Sequence, residues 1–425
     1  MNCISGSILL VCLLACAACG APASETAAGK VSANYSVHYT ITPDPREGSV
    51  AVEMAVQQTR GQLRELSFEI TGTRASGFKA DGNLLVGEKT VVWMPGRTGG
   101  SLHWRTRINH RRGSAGFDAW LESNWGIFRA EDIIPRARTR TLKGASSETS
   151  LSFVLPDNWS AVSEYSTLKS RIQVQNPARR FDQPRGWMAM GKLGVRRETI
   201  AGTRIAVAAP EGQAVRRMDM LALLNWILPE LTSVLPDSIA RLTIVSAGDP
   251  MWRGGLSGPG SVFIHADRPL ISENATSTLV HEVVHVALGI TASDGFDWIV
   301  EGLAEYYSLE LLQRGGAITP RRYQRALEKQ IQWADDAEDL CAARSTGAVT
   351  ALAVITFRSL DKEIRKKSGG KFSLDTVVAA LETSRSHVTL QMLENVVLEI
   401  LKGPSDTLQP DNLPGCQQYL STSET

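Results

Sequence analysis

The chain lacks an excess of charge of either sign. Its 45 Lys and Arg are nearly matched by 44 Asp and Glu, leaving a net charge of +1. The basic pairs Arg111-Arg112, Arg179-Arg180 and Arg216-Arg217 are short and dispersed, so no basic stripe for nucleic acid is present. The apolar run near the start, Ile8 to Ala18, is too short to span a bilayer. There is no internal repeat, and no low-complexity tract beyond Gly20 to Gly29. Cysteine is scarce after the first 19 residues, where only Cys341 and Cys416 remain. With 43% hydrophobic and 21% charged residues, the 425-residue chain is globular rather than disordered, and long enough for two or three domains.

The first residues read as a processing signal. Ile8 to Ala18 has the length of a signal-peptide core, although no Lys or Arg precedes it. Leu13-Leu14-Ala15-Cys16 resembles a bacterial lipobox, in which Cys16 is lipidated and becomes the first residue. Ala17-Ala18-Cys19 is a second match, and a plain cleaved signal peptide is the alternative. The expectation is an exported protein of the bacterial cell envelope, touching the membrane through a lipid anchor only. Gly20 to Gly29, rich in Ala and Ser, reads as a flexible tether. In an oxidising compartment Cys341 and Cys416 are either a disulfide or two buried free thiols, and the sequence leaves both open.

From about Val31 to Ile200 the patterns are short and alternating, as in Tyr35 to Ile41, Ser49 to Val56 and Leu63 to Ile70. Gly, Asp, Asn and Pro punctuate them, so this region reads as an all-β sandwich. His38, His103 and His110 fall within it at no metal-like spacing. Strand patterns at Thr203 to Ala209, Arg241 to Ser246 and Ser261 to His265 then alternate with helical ones. Gln213 to Leu235 is helical with Pro229 inside it, and Gly254 to Gly260 reads as a glycine-rich turn. From Pro320 the chain reads as helices: Arg321 to Ala343, Gly347 to Lys367, Leu374 to Thr383 and Leu390 to Leu401.

One stretch carries chemistry. His281-Glu282-Val283-Val284-His285 lies in a helical pattern capped by Ser272 or Asn274 and ended by Gly289. Residues four apart share a helix face, so His281 and His285 can aim at one point. Zinc takes imidazole and carboxylate ligands, and Glu282, one residue round, is placed to accept a proton from a metal-activated water. Glu301 follows after fifteen residues on a second helical pattern, Trp298 to Leu312, and completes a His-His-Glu set for one Zn2+. Glu305, one turn on, is placed to accept the free ring N–H of a ligating histidine.

This order resembles the gluzincin metallopeptidases, and the glycyl aminopeptidase family more than aminopeptidase N. The resemblance rests on His281-Glu-Val-Val-His285 and Trp298-Ile-Val-Glu-Gly-Leu-Ala304, and extends weakly to Gly347 to Leu352 and Ser368 to Asp375. It implies a multidomain α+β protein. Residues 1–29 are signal and tether, 30–200 an N-terminal β-sandwich, 201–319 a thermolysin-like zinc-peptidase domain and 320–425 a C-terminal helical domain. It implies zinc ligands His281, His285 and Glu301, Glu282 as general base, and a peptide or protein substrate.

Three departures narrow the reading. The fifteen residues between His285 and Glu301 are fewer than the family's usual insert. The family's substrate-gripping acid before the edge strand is replaced by Ser257 in Gly254-Gly-Leu-Ser-Gly258. The family's oxyanion-stabilising tyrosine, three residues before the helix glycine, is replaced by Arg344. Arg344 is either a catalytic oxyanion partner or a surface arginine. His265 either reaches the cleft or is a strand-end histidine, and Tyr306 and Tyr307 are packing residues. The expected function is zinc-dependent peptide hydrolysis, as aminopeptidase or endopeptidase; the alternative is a catalytically reduced envelope module on the same scaffold.

Overall fold

The computed structural model describes residues 34–165, 171–176, 180–236, 239–384 and 387–420. Segment 1–29, with Cys16 and the lipobox, lies outside the described residues. Where the sequence suggests a sandwich of two sheets, the chain up to Gly191 forms three. A six-stranded sheet is built around the strands Tyr35–Asp44 and Ser49–Gln57. Along Tyr35–Asp44 burial alternates strictly, with Tyr35, Val37, Tyr39 and Ile41 pointing inward. A four-stranded sheet adds Leu66, Phe68, Val91 and Trp93 to the same core.

The third sheet, of five strands, joins this core to the rest of the molecule. Every residue of its strand Trp187–Gly191 is buried, because the sheet is covered on both faces. Met188 and Met190 enter the β core, while Trp187 and Ala189 pack with Val245 and Phe263 of the next sheet. The extra sheet escapes sequence reading because a strand buried on both sides shows no polar alternation.

That next sheet is mixed, in the order Leu193–Ile200, Thr203–Pro210, Arg241–Ala247, Ser261–His265, Gly255–Gly258. Leu193–Ile200 falls before residue 201, yet it pairs along its whole length with Thr203–Pro210. The hairpin turn is Ala201-Gly202, with φ of +47° and +82°, a combination that suits a two-residue turn between antiparallel strands. The glycine-rich stretch after Trp252 corrects a second expectation. Gly255–Gly258 is itself the edge strand, antiparallel to Ser261–His265, which is therefore interior.

Six helices of eleven residues or more follow: Thr278–Leu288, Asp297–Arg314, Pro320–Ala334, Ala348–Lys367, Leu374–Ser384 and Leu390–Leu401. They share one buried cluster with the mixed sheet and with the helix Arg217–Val234, running from Ile200 to Cys416. The helix expected to reach Ala343 stops at Ala334. Asp335 and Asp336 oppose the negative end of its dipole there. The chain then turns so that Cys341 bonds to Cys416, 75 residues on. Among the described residues no helix is long and apolar enough to cross a membrane.

Two local features place the helices that matter most. The helix Thr278–Leu288 is capped by Ser277, whose side chain accepts from the Val280 N–H at 3.2 Å. Ser272, an expected cap, instead accepts from the Thr276 N–H at 3.1 Å. Gly289 ends the helix in the left-handed conformation, φ +58°. The helix Asp297–Arg314 is buried nearly all round, with Trp298, Leu303, Tyr307 and Leu311 fully enclosed. A Cβ on Gly302 would lie 2.5 Å from the Ala353 methyl, so only glycine there lets the helix Ala348–Lys367 approach this closely.

Candidate metal centre

The helices Thr278–Leu288 and Asp297–Arg314 pack against each other and bring His281, His285 and Glu301 together. The two Nε2 atoms are 3.1 Å apart. Glu301 Oε2 lies 3.4 Å from Nε2 of His281, and Oε1 lies 3.4 Å from Nε2 of His285. Ligands held at about 2.0–2.1 Å around a tetrahedral zinc sit about 3.3 Å from one another. The three side chains thus converge at about the spacing of zinc ligands, each Glu301 oxygen facing one imidazole, and the two imidazole nitrogens face each other as they would across a shared cation. The shortened insert between His285 and Glu301 does not disturb this arrangement. Glu301, 30% exposed, opens one side of it to solvent.

The remaining ring nitrogen of His281 is spoken for. Nδ1 donates to Glu305 Oε2 at 3.0 Å, which leaves the Nε2 lone pair for a metal. Glu305 is met on its other oxygen by the buried Gln330, whose amide stands 3.5 Å away. Burial works against a charged His281. The carboxylates of Glu301 and Glu305 outweigh it and push its pKa up to about 10. Glu301 is partly buried, which favours its neutral form, but the two imidazoles hold its carboxyl well below the usual carboxylate range. Both shifts have one cause: the centre is electron-rich and draws in positive charge.

Glu282 reaches toward the edge strand, and its charge still acts on His281. It is largely buried, and a Cβ on Gly255 would come within 2.8 Å of its Cγ and 3.0 Å of its Oε1. Gly255 is therefore the residue that gives Glu282 its space. Ser257, two residues on, shares that face of the strand, so an acid at 257 would have stood over the same centre. The strand itself is held from behind. Trp187 donates its indole N–H to the Leu256 carbonyl at 2.9 Å, and its backbone N–H to Ser261 Oγ at 2.8 Å. The amide of His265 donates to the Gly254 carbonyl at 2.9 Å. Antiparallel alternation then turns the N–H and C=O of Gly255 and Ser257 outward, onto the free edge.

The other candidate residues lie elsewhere. Arg344 is exposed and, among the described residues, has no ion-pair partner; its neighbour Ser345 is anchored by an N–H bond to Asp297 Oδ2 at 2.8 Å. His265 is fully buried and stands at the strand end as a structural residue. Its Nδ1 accepts from the Asp267 N–H at 3.2 Å, and its Nε2 faces Asp249 at 3.6 Å. Tyr306 and Tyr307 pack in the core, where the Tyr307 hydroxyl donates to Asp375 at 2.8 Å. Sequence reasoning missed Gln330 and the role of Gly255. The only sequence sign of the latter was a paired glycine next to a strand pattern.

No family profile matches the chain, and no curated protein matches it by sequence. Solved structures do match. The aminopeptidase N family protein from Idiomarina loihiensis aligns with a TM-score of 0.62 at 15% identity, over 91% of this chain and 75% of that one. At that identity the likeness is one of fold, and the chain has a multidomain α+β, aminopeptidase N-like fold carrying a His-His-Glu group that could hold a metal ion.

Proposed function

We propose that the chain is a zinc-dependent peptidase of the gluzincin kind, with a thermolysin-like catalytic unit built from the mixed sheet and the two metal-site helices. The observation that carries this reading is the convergence of His281 Nε2 and His285 Nε2, 3.1 Å apart, on the Glu301 carboxylate, whose two oxygens each lie 3.4 Å from one of them. Zinc held there would polarise a scissile carbonyl and bring the pKa of its water down to about 7.

The chain's own residues supply the rest. Glu282, one residue round the helix from His281, takes the proton of the attacking water and passes it to the leaving amine. Glu305 fixes the tautomer and ring orientation of His281. The outward N–H and C=O groups of Gly255 and Ser257 pair with an extended peptide, adding it as a further strand. Arg344 is the oxyanion partner in this reading. Its place on the loop that Asp297 anchors to the start of the Glu301 helix supports that role.

Ser257 shapes specificity. With no carboxylate on that face of the edge strand, nothing there rewards a free α-ammonium, so cleavage does not require a free amino terminus. Export and attachment at Cys16 belong to the same proposal and rest on the N-terminal sequence.

The test pairs metal analysis with digestion of a mixed peptide library. Wild type is expected to hold one zinc and to cleave free and N-acetylated peptides alike, and Glu282→Gln to keep the zinc and lose cleavage. Full-rate cleavage by Glu282→Gln would remove the mechanism. Zinc binding without cleavage by wild type would favour a non-catalytic module. Release of single N-terminal residues only would restore a strict aminopeptidase.

A further inference from the structure

Elsewhere in the helical half, cations such as Arg314, Arg365 and Lys367 are answered by carboxylates. Four are not. Arg321, Arg322, Arg325 and Lys329 line one cavity at the start of the helix Pro320–Ala334, with Glu273 and Asn274 completing it. Among the described residues no carboxylate comes within ion-pair distance of any of the four. Arg321, Arg325 and Lys329 follow one another at intervals of four, so their like charges share one helix face and repel. The helix start adds positive potential of its own. The opposite wall is the turn that leads into the Ser277 cap of the metal-site helix. Arg322 already donates to the Ser272 carbonyl there at 2.5 Å. Ala275, buried in that turn, has φ +63°, a backbone strain that a non-glycine residue keeps only when its surroundings impose it.

We propose that this cavity is a binding site for a phosphate group, separate from the metal centre. The balance of charge argues for that chemistry: four cations face one carboxylate, and a single carboxylate ligand would leave most of that charge unanswered. A phosphate carries between one and two negative charges near neutral pH on tetrahedrally arranged oxygens, and guanidinium forks match such oxygens two at a time. The group is either a free phosphate or the phosphate of a lipid headgroup. Because Arg322 also holds Ser272, an occupied cavity stiffens the turn at the base of the metal-site helix. This inference does not depend on the peptidase reading.

The test is calorimetric titration of the full chain with inorganic pyrophosphate at fixed ionic strength. Arg321→Ala/Arg325→Ala is expected to weaken binding about tenfold or more, since each substitution removes charge-assisted hydrogen bonds. Arg321→Lys/Arg325→Lys, which keeps the charge and the fold but loses the forks, is expected to fall between. The metal centre is the same in all three, so phosphate captured there cancels from the comparison. A second arm measures retention on phosphatidylglycerol vesicles against phosphatidylcholine. Retention that the double alanine variant loses assigns the phosphate to a lipid; pyrophosphate binding without retention assigns it to a free ion. Hydrogen exchange across 272–277 is expected to slow with pyrophosphate in wild type and not in the double alanine variant. Equal affinity of wild type and that variant would overturn the proposal, as would hexaglutamate binding as tightly as pyrophosphate.

Discussion

The two sides of the metal centre are built on opposite plans. On the helical side polar groups are answered by polar groups: His281 by Glu305, Glu305 by Gln330, the Ser345 amide by Asp297. On the strand side stand Gly255, Leu256, Ser257 and Gly258, with no charged side chain. The helices concentrate charge and fix it in place, which hydrolysis needs. The strand offers backbone, which in the proposed reading pairs with an extended peptide with little regard to its sequence. Gly255 ties the two plans together, since its missing side chain is the room in which Glu282 stands. A site furnished on one side and bare on the other suits a peptidase that cares about chain conformation more than chain ends.

The comparison can be broken most decisively at Glu282. Glu282→Gln is expected to lower kcat/KM by about 10²–10⁴, the usual worth of a positioned proton acceptor, with zinc content unchanged. Loss of zinc together with activity would mean that Glu282 belongs to the metal's own ligand set. Next comes Glu305→Gln. Replacing the charged acceptor for His281 Nδ1 with a neutral amide is expected to weaken zinc binding about 10–100-fold, read by competition with a chelator, while peptide binding to the strand stays intact. An unchanged zinc affinity would show that the helical side is less interdependent than its hydrogen bonds suggest.

Ser257→Glu tests the bare side. An acid on the face shared with Gly255 is expected to favour free over N-acetylated peptides by about tenfold, the worth of one charge-assisted hydrogen bond. No change in that ratio would place the substrate's amino end elsewhere. The smallest effect is expected from Ser277→Ala. It removes the cap of the metal-site helix and should cost about 1 kcal/mol in thermal unfolding, with free and acetylated peptides still cleaved in the same ratio. A shift in that ratio would mean that the helix start also shapes the strand side.

Legibility followed sequence separation. His281, Glu282 and His285 are near neighbours on one helix, so their spacing alone orients them. Glu301 and Glu305 repeat that logic on the following helix, and the structure brings them to the same point. Gln330 could not be read, because it meets Glu305 across a different pair of helices. The edge strand was mistaken for a turn because its glycines erase the alternation by which strands are recognised. The third β-sheet escapes the pattern for the reverse reason, since its interior strand Trp187–Gly191 is apolar throughout.

By itself the sequence determined which atoms of the centre exist and the period at which they recur, because an α-helix converts spacing into direction without help from the rest of the chain. It also determined that position 257 carries a serine and no carboxylate, which no fold can change. Only the tertiary structure decided that Cys341 meets Cys416, that Gly255 rather than a longer residue must stand beside Glu282, and that Gly255–Gly258 is the open edge of the sheet. Each of these depends on distances between segments far apart in the chain. Such distances are set by how whole helices and sheets bury their apolar faces, not by any local pattern.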